Sequence, residues 1–350
     1  MVVVPVSHRL LAALVAVLWG MNFLAIDASL AHFPPFFLVA LRFALIAVPT
    51  MLLVPRPRVP WRWLVGYGLG FGTLQFLFLY WGMSIGMPAG LASLVLQASA
   101  PFTVVLGALF LAERIGRNAV VGVVVASGGL AIVGWHRAET AAIAPFALTL
   151  LGALGWAIGN LCNRLARPQQ PLHLALWMSV VPPVPMLALS LVVEGPDAIG
   201  HSLRTVTSPE GLVATGGLAY TIVLGTIVGS GIWTWLMMRH PAGRVAPFSM
   251  LVPVVGMTGA WLVLGESVAL AELVGAAVII AGVLLSSRTL RPAVDEPARD
   301  RDVRRRQDDV LGLDRGGQLV AGEPPGVGDL VRVDDDVAAA GPAEEAEHQA

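Results

Sequence analysis

Few side chains in this 350-residue sequence could do chemistry, and most of those stand inside long apolar runs. Arg42 lies between Phe36-Phe37-Leu38-Val39-Ala40-Leu41 and Phe43-Ala44-Leu45-Ile46. A guanidinium there has three roles open to it. It can grip a carboxylate with its planar fork, pair with Asp27, or reach along its own apolar stem to lipid headgroups. Asn22, Gln75 and Gln97 are amides that donate and accept, suited either to a ligand or to a partner helix. Asn160, Ser230 and Ser249 supply similar groups later in the chain. Trp19, Tyr80, Trp81, Trp156 and Trp233 offer aromatic faces, fit to wall a cavity or to sit in an interfacial belt. Glu113 and Glu266 stand where apolar runs end, as helix caps or as proton carriers. Enzymatic patterns are missing: no two His have metal-ligand spacing, no G-x-S-x-G occurs, and Cys162 is the sole Cys, read as a packing residue. No catalytic role, metal or cofactor is therefore expected.

What must position these groups follows from composition. The chain is 56% hydrophobic and 13% charged, with mean hydropathy +0.75, whereas a soluble domain carries about a quarter charged residues. The net charge of −1 is a cancellation: fifteen Arg face eight carboxylates up to residue 291, and seven Arg face fifteen beyond it. Because the Arg of the body fall singly or in small groups between apolar runs, a nucleic-acid surface is excluded.

A bilayer core of roughly 30 Å needs about 20 apolar residues per helix. Ten stretches qualify: 9–30, 36–54, 63–83, 89–111, 119–135, 144–163, 172–193, 212–236, 245–264 and 270–287. Pro182, Pro183 and Pro185 predict a kink in the seventh. Arg42 then lies about 9 Å below one end of its span, and each polar group at depth becomes a site candidate because burial in lipid is costly. With the N-terminus inside, inward segments hold twelve Arg and outward ones only Arg137 and Arg204, so both termini are expected in the cytoplasm. The first run is long for a signal peptide and lacks an A-x-A site, so cleavage is not expected.

The chain repeats itself. The stretch PFTVVLGALFLAERIGRNAVVGVVVASGGLAIVG from Pro101 resembles PVVGMTGAWLVLGESVALAELVGAAVIIAGVLL from Pro253. A shift of 153 superposes Leu111 on Leu264, Glu113 on Glu266, Gly122 on Gly275 and Gly129 on Gly282. Two copies of five spans enter the membrane oppositely, since five is odd. The loop charges agree, for Arg114 and Arg117 follow Glu113 while no Arg follows Glu266 before the tenth span. The expected fold is thus an all-α membrane protein of ten helices in two inverted five-helix repeats, residues 1–140 and 141–290. Such repeats build secondary transporters around a site near the midplane. Residues 291–350 read as a disordered, charged cytoplasmic tail. Gly66/Gly70, Gly68/Gly72 and Gly225/Gly229 are small-xxx-small pairs for close helix packing.

Trp19-Gly20-Met21-Asn22-Phe23, GMPAGLASLVLQA from Gly86, Glu113-Arg114, IVGSGIW from Ile227 and RVAPFSMLVPVVG from Arg244 together resemble the EamA family of the drug/metabolite transporter superfamily, over about residues 5–288. Within it they are most similar to the branch that exports O-acetylserine and cysteine. The resemblance implies a multi-pass carrier of the bacterial inner membrane. Its cavity would lie between the repeats and its export be driven by an ion gradient, protons foremost, with amino acids of the cysteine pathway as substrates. The partners so implied are a small-molecule substrate and the lipid bilayer, with a homodimer left open and no nucleic acid. The second repeat departs at Trp156-Ala157, and the chain has no Lys. Two other readings remain: export of hydrophobic cations, which calls for a deep acidic residue, and a non-transporting scaffold, which calls for neither repeat nor buried polar groups.

Overall fold

The computed structural model describes residues 5–111, 116–139, 143–240 and 242–287. The Glu113 turn and the charged segment from residue 291 onward fall outside them. Among the described residues the regular elements are all helical. We label them α1 (Val6–Leu30), α2 (Pro35–Leu53), α3 (Trp61–Ser84), α4 (Ala89–Leu111), α5 (Arg117–Glu139), α6 (Ile143–Ala166), α7 (Pro171–Val193), α8 (Gly195–Arg204), α9 (Pro209–Arg239), α10 (Ala246–Leu264) and α11 (Leu270–Ser287). Nine, α1 to α7 with α9 and α10, are long and apolar enough to cross a membrane, and the apolar part of α11, Leu270–Leu285, is shorter. Without water, backbone groups must pair within their own helix, which is why these apolar runs take this form.

All ten expected stretches are helices, and the differences from expectation have local causes. Helix α9 starts three residues early because the Ser208 hydroxyl accepts from Gly211 N at 3.0 Å and Pro209 suits the first helical position. Helix α7 breaks where the prolines predict: Met178–Val180 is a 3₁₀ turn, and Pro183 starts a new α segment. The short α8 lies in the connection between the seventh and eighth expected stretches. Gly86 and Gly265, at φ +107° and +68°, make the tight turns before α4 and after α10.

Three helices contain π turns, Gly68–Leu74 in α3, Thr221–Val228 in α9 and Ala260–Leu264 in α10. The first two begin 153 residues apart, the spacing of the sequence repeat. In each a threonine hydroxyl bonds the carbonyl five residues back, Thr73 to Gly68 at 3.3 Å and Thr226 to Thr221 at 2.9 Å. Such insertions are rare and favour functional positions.

Helix neighbours are chosen across the two halves of the chain: α1 packs on α9 and α10, α3 and α4 on α6, α2 on α7, and α5 on α11. Exchanging each helix for its counterpart in the other half leaves this set unchanged. Glycines allow the approach, because lipid supplies no hydrophobic drive between helices. A Cβ on Gly129 would lie 2.8 Å from Gly275 O, and one on Gly282 2.7 Å from Gly122 O. Helices α5 and α11 therefore run antiparallel with reciprocal glycine contacts. The expected small-xxx-small pairs pack likewise: Gly66 faces Cys162, Gly70 faces Gly159, and Gly225 and Gly229 face Asn22 and Trp19.

Candidate functional site

Eight helices surround a chamber of about 460 Å³. Its wall is drawn from α1, α2, α3, α4, α6, α7, α9 and α10, and α5 and α11 stand outside it. The chamber reaches the α6–α7 turn at Asn163, Pro171 and Leu172. Toward the other end Phe33, Phe36, Phe37, Met83 and Met87, each 7% exposed or less, pack the bundle shut.

Trp19, Asn22, Arg42, Gln75, Gln97, Trp156, Asn160, Ser230 and Trp233 all line this space, and so does Ser249. Residues far apart in sequence, singled out by type and depth, thus meet around one cavity. Tyr80 does not line it; this side chain is 1% exposed, behind Arg42. Trp81 is 40% exposed and stands edge-on to Phe36, outside the wall.

Arg42 is 5% exposed, so the snorkelling role is overturned, and its bonds go elsewhere than to Asp27. Nη1 donates to Tyr80 Oη and Nη2 to Thr226 Oγ1, both at 3.0 Å. The guanidinium carbon lies 4.1 Å from the centre of the Phe76 ring and 5.2 Å from that of Phe43, a cation–π stack worth more where water is excluded. Neither hydrogen-bond partner carries a charge. Among the described residues of the wall, Arg42 alone bears one. A cation held in a low-dielectric chamber without a counter-charge attracts an anionic group.

The amides divide. Gln97 Nε2 donates to Met250 Sδ at 3.5 Å, a weak acceptor, and Asn160 Nδ2 to Thr103 Oγ1 at 3.2 Å. Asn22 Oδ1, Gln75 Oε1 and Arg42 Nε are buried without a hydrogen-bond partner. Each such group costs about 1–3 kcal/mol while it stays unpaired. Trp19 donates from Nε1 to Gly225 O at 2.9 Å, inside the π turn of α9, and its ring lies 5.2 Å from that of Trp233. Across the chamber Trp156 meets Phe71 edge-on at 5.7 Å, and Phe71 continues to Tyr67 and Phe76. The result is a box of aromatic faces with a few polar groups and one cation, the usual make-up of a small-molecule site.

Sequence reasoning passed over Thr226 and three aromatics of α3, Tyr67, Phe71 and Phe76. Thr226 had a signal, since it lies 153 residues after Thr73. Tyr67, Phe71 and Phe76 had none, because an aromatic in an apolar helix reads as ordinary core. Glu266 is resolved as a cap, but of a distant helix: both its oxygens accept from α4, at Ala89 N and Gly90 N.

Apolar helices of membrane-crossing length around a polar-lined interior chamber define a multi-pass membrane transporter. The chain belongs to the EamA-like transporter family, whose model matches residues 7–135 and 144–288. It is 42% identical over 282 residues to a protein of Salmonella typhimurium named "Probable amino-acid metabolite efflux pump", covering 79% of this chain and 93% of that one. An Escherichia coli protein of the same name is 40% identical, covering 80% and 95%. A Streptantibioticus cattleyicolor protein named "Probable terminal-alkyne amino-acid exporter" is 30% identical, covering 70% and 79%.

Proposed function

We propose that this chain exports small zwitterionic metabolites, amino acids of the cysteine pathway foremost, across the bacterial inner membrane by alternating access driven by an ion gradient, with protons as the expected ion. Both termini lie in the cytoplasm and the Asn163 mouth of the chamber faces inward. Ten spans form two inverted five-helix units, residues 1–140 and 141–290. Support for this plan comes from the reciprocal Gly129–Gly275 and Gly122–Gly282 approaches, the matched π turns and the two stretches matched by the family model.

The observation that carries the substrate class is Arg42, a chamber cation whose bonded partners are a phenol and a hydroxyl. A substrate carboxylate completes it, with charge-assisted bonds about twice as strong as neutral ones. The Asn22 and Gln75 amide oxygens take the ammonium, and the Trp19–Trp233 and Phe71–Trp156 faces take the side chain. A hydrophobic cation would be repelled by the same guanidinium. The test is counterflow of labelled cysteine and O-acetylserine in proteoliposomes, beside their carboxamides and a lipophilic cation. Flux of the acids above empty vesicles, inhibited by other amino acids but not by carboxamides, is expected. Flux of the cation alone would sink the reading.

A further inference from the structure

Two helices of the first half begin without a cap of their own. Proline precedes each, Pro34 before α2 and Pro88 before α4, and proline has no side-chain acceptor for the free amides of a first turn. The acceptors come from the other half of the chain. Glu194, at the end of α7, takes Phe36 N on Oε1 at 2.7 Å and Phe37 N on Oε2 at 3.0 Å, while Ser190 Oγ donates to the same Oε2 at 2.5 Å. Glu266, between α10 and α11, takes Ala89 N on Oε1 at 2.7 Å and Gly90 N on Oε2 at 3.1 Å. Gly90 makes the second approach possible, since a Cβ there would lie 3.1 Å from Glu266 Oε2 and 3.0 Å from Met257 Cα.

Both carboxylates sit at the packed end of the chamber. Phe36 and Phe37, which donate to Glu194, belong to the apolar plug, and Met87 of that plug is two residues from Ala89. An ordinary cap lies within its own helix and stays bonded however the helix moves. These four bonds instead tie α2 and α4 to elements of the opposite half, so that separating the halves at this end must break them. A negative charge on a helix N-terminus adds favourable dipole interaction to the bonds themselves. We propose that Glu194 and Glu266 are positioning residues for export: two trans-caps that hold this end of the chamber shut, and that are released together when it opens.

The inference rests on the carrier reading above, but its readout needs no substrate and so fails or stands apart from the solute. The full chain, with Cys162→Ala to remove its sole thiol, is reconstituted in nanodiscs and spin-labelled at three pairs. Ser84/Ser267 spans the Glu266 contact, Ala31/Asp197 the Glu194 contact, and Gln169/Met238 the mouth near the α6–α7 turn. Glu266→Gln or Glu194→Gln, each losing about one cap's worth of free energy, should raise the ratio of long to short distances at its own pair about fivefold. The double variant should raise it about twentyfold and shorten the Gln169/Met238 distance at the same time. If the double variant keeps the parent's distances at all three pairs, whether or not its melting temperature falls, the residues are caps alone and the proposal is overturned. Should the glutamines prevent folding, Glu266→Asp and Glu194→Asp keep the charge but are one methylene too short to span both amides. They should give a smaller shift in the same direction, and no shift would equally overturn the proposal.

Discussion

Arg42 of α2 donates to the hydroxyl of Thr226 in α9 at 3.0 Å, and that hydroxyl donates in turn to the Thr221 carbonyl, at 2.9 Å, across a π turn. Arg42, the charged wall residue among those described, is thereby joined to an irregular stretch of helix in the other half of the chain. Bonds in such a chain polarise one another, so the guanidinium and the turn are electrostatically linked through the Thr226 hydroxyl.

Replacing Thr226 by Val keeps its shape and removes both bonds. The buried Nη2 then lacks its acceptor, and the expected loss is about 1–3 kcal/mol. Thr226→Ser retains the hydroxyl and should unfold close to the parent temperature. Thermal unfolding of the two variants in the same lipid decides it; equal melting points would show that the contact contributes nothing.

How much of this was legible beforehand depended on whether a property was local. The apolar runs are local, and all ten stretches became helices. The α7 break followed from three prolines and the close approaches of Gly66, Gly70 and Gly225 from small-residue spacing. The depth of Arg42 in its span was readable too. What Arg42 touches was not, because Tyr80 and Thr226 are 38 and 184 residues away and neither is polar enough to announce itself as a partner. Glu266 could be placed at a helix end, but a cap supplied to α4 from 177 residues away depends on how the halves meet. The π turns also escaped notice. Nothing in Gly68–Leu74 departs from ordinary apolar helix, and only comparison with Thr221–Val228 at the repeat spacing makes them visible.

Arg42→Lys should behave as a loss of function and not as a conservative change. An ammonium cannot donate to Tyr80 and Thr226 in the planar geometry that the guanidinium holds while a further N–H remains for a solute. With charge-assisted bonds at stake, apparent affinity for carboxylated solutes should fall about tenfold or more. The check is competition against a labelled amino acid in proteoliposomes. Retained affinity with Lys, and with Gln as the uncharged control, would remove Arg42 from the site.

Neighbouring glycines in α5 give a test of packing with its own control. A Cβ on Gly129 would approach Gly275 O to 2.8 Å, and Ile279 N as closely, so backbones must part. On Gly128 it would meet nothing within 4 Å. Gly129→Ala should therefore destabilise by about 1–3 kcal/mol through overpacking. Gly128→Ala should be neutral or gain up to about 1 kcal/mol of helix propensity. Denaturation in mixed micelles separates the two, and similar midpoints would mean that α5 and α11 do not meet as described.

A second pair of glycines, in α9, separates folding from binding. A Cβ on Gly225 would come within 2.8 Å of Asn22 Oδ1, which is the tip of a side chain, whereas one on Gly217 would meet the backbone carbonyl of Ala25. A side-chain amide can turn aside and a helix backbone cannot. Gly217→Ala should thus force α1 from α9, break the Ser29 Oγ to Ala214 O bond, and lower the yield of folded protein. Gly225→Ala should fold, yet displace the Asn22 amide from its place in the chamber wall. Its effect should appear as a weaker apparent affinity with little change in melting temperature. Measured side by side, the two variants should separate cleanly, Gly217→Ala in stability and Gly225→Ala in affinity. If Gly225→Ala instead bound amino acids as tightly as the parent, Asn22 would be a helix-packing residue and the ammonium would have to be held elsewhere in the chamber.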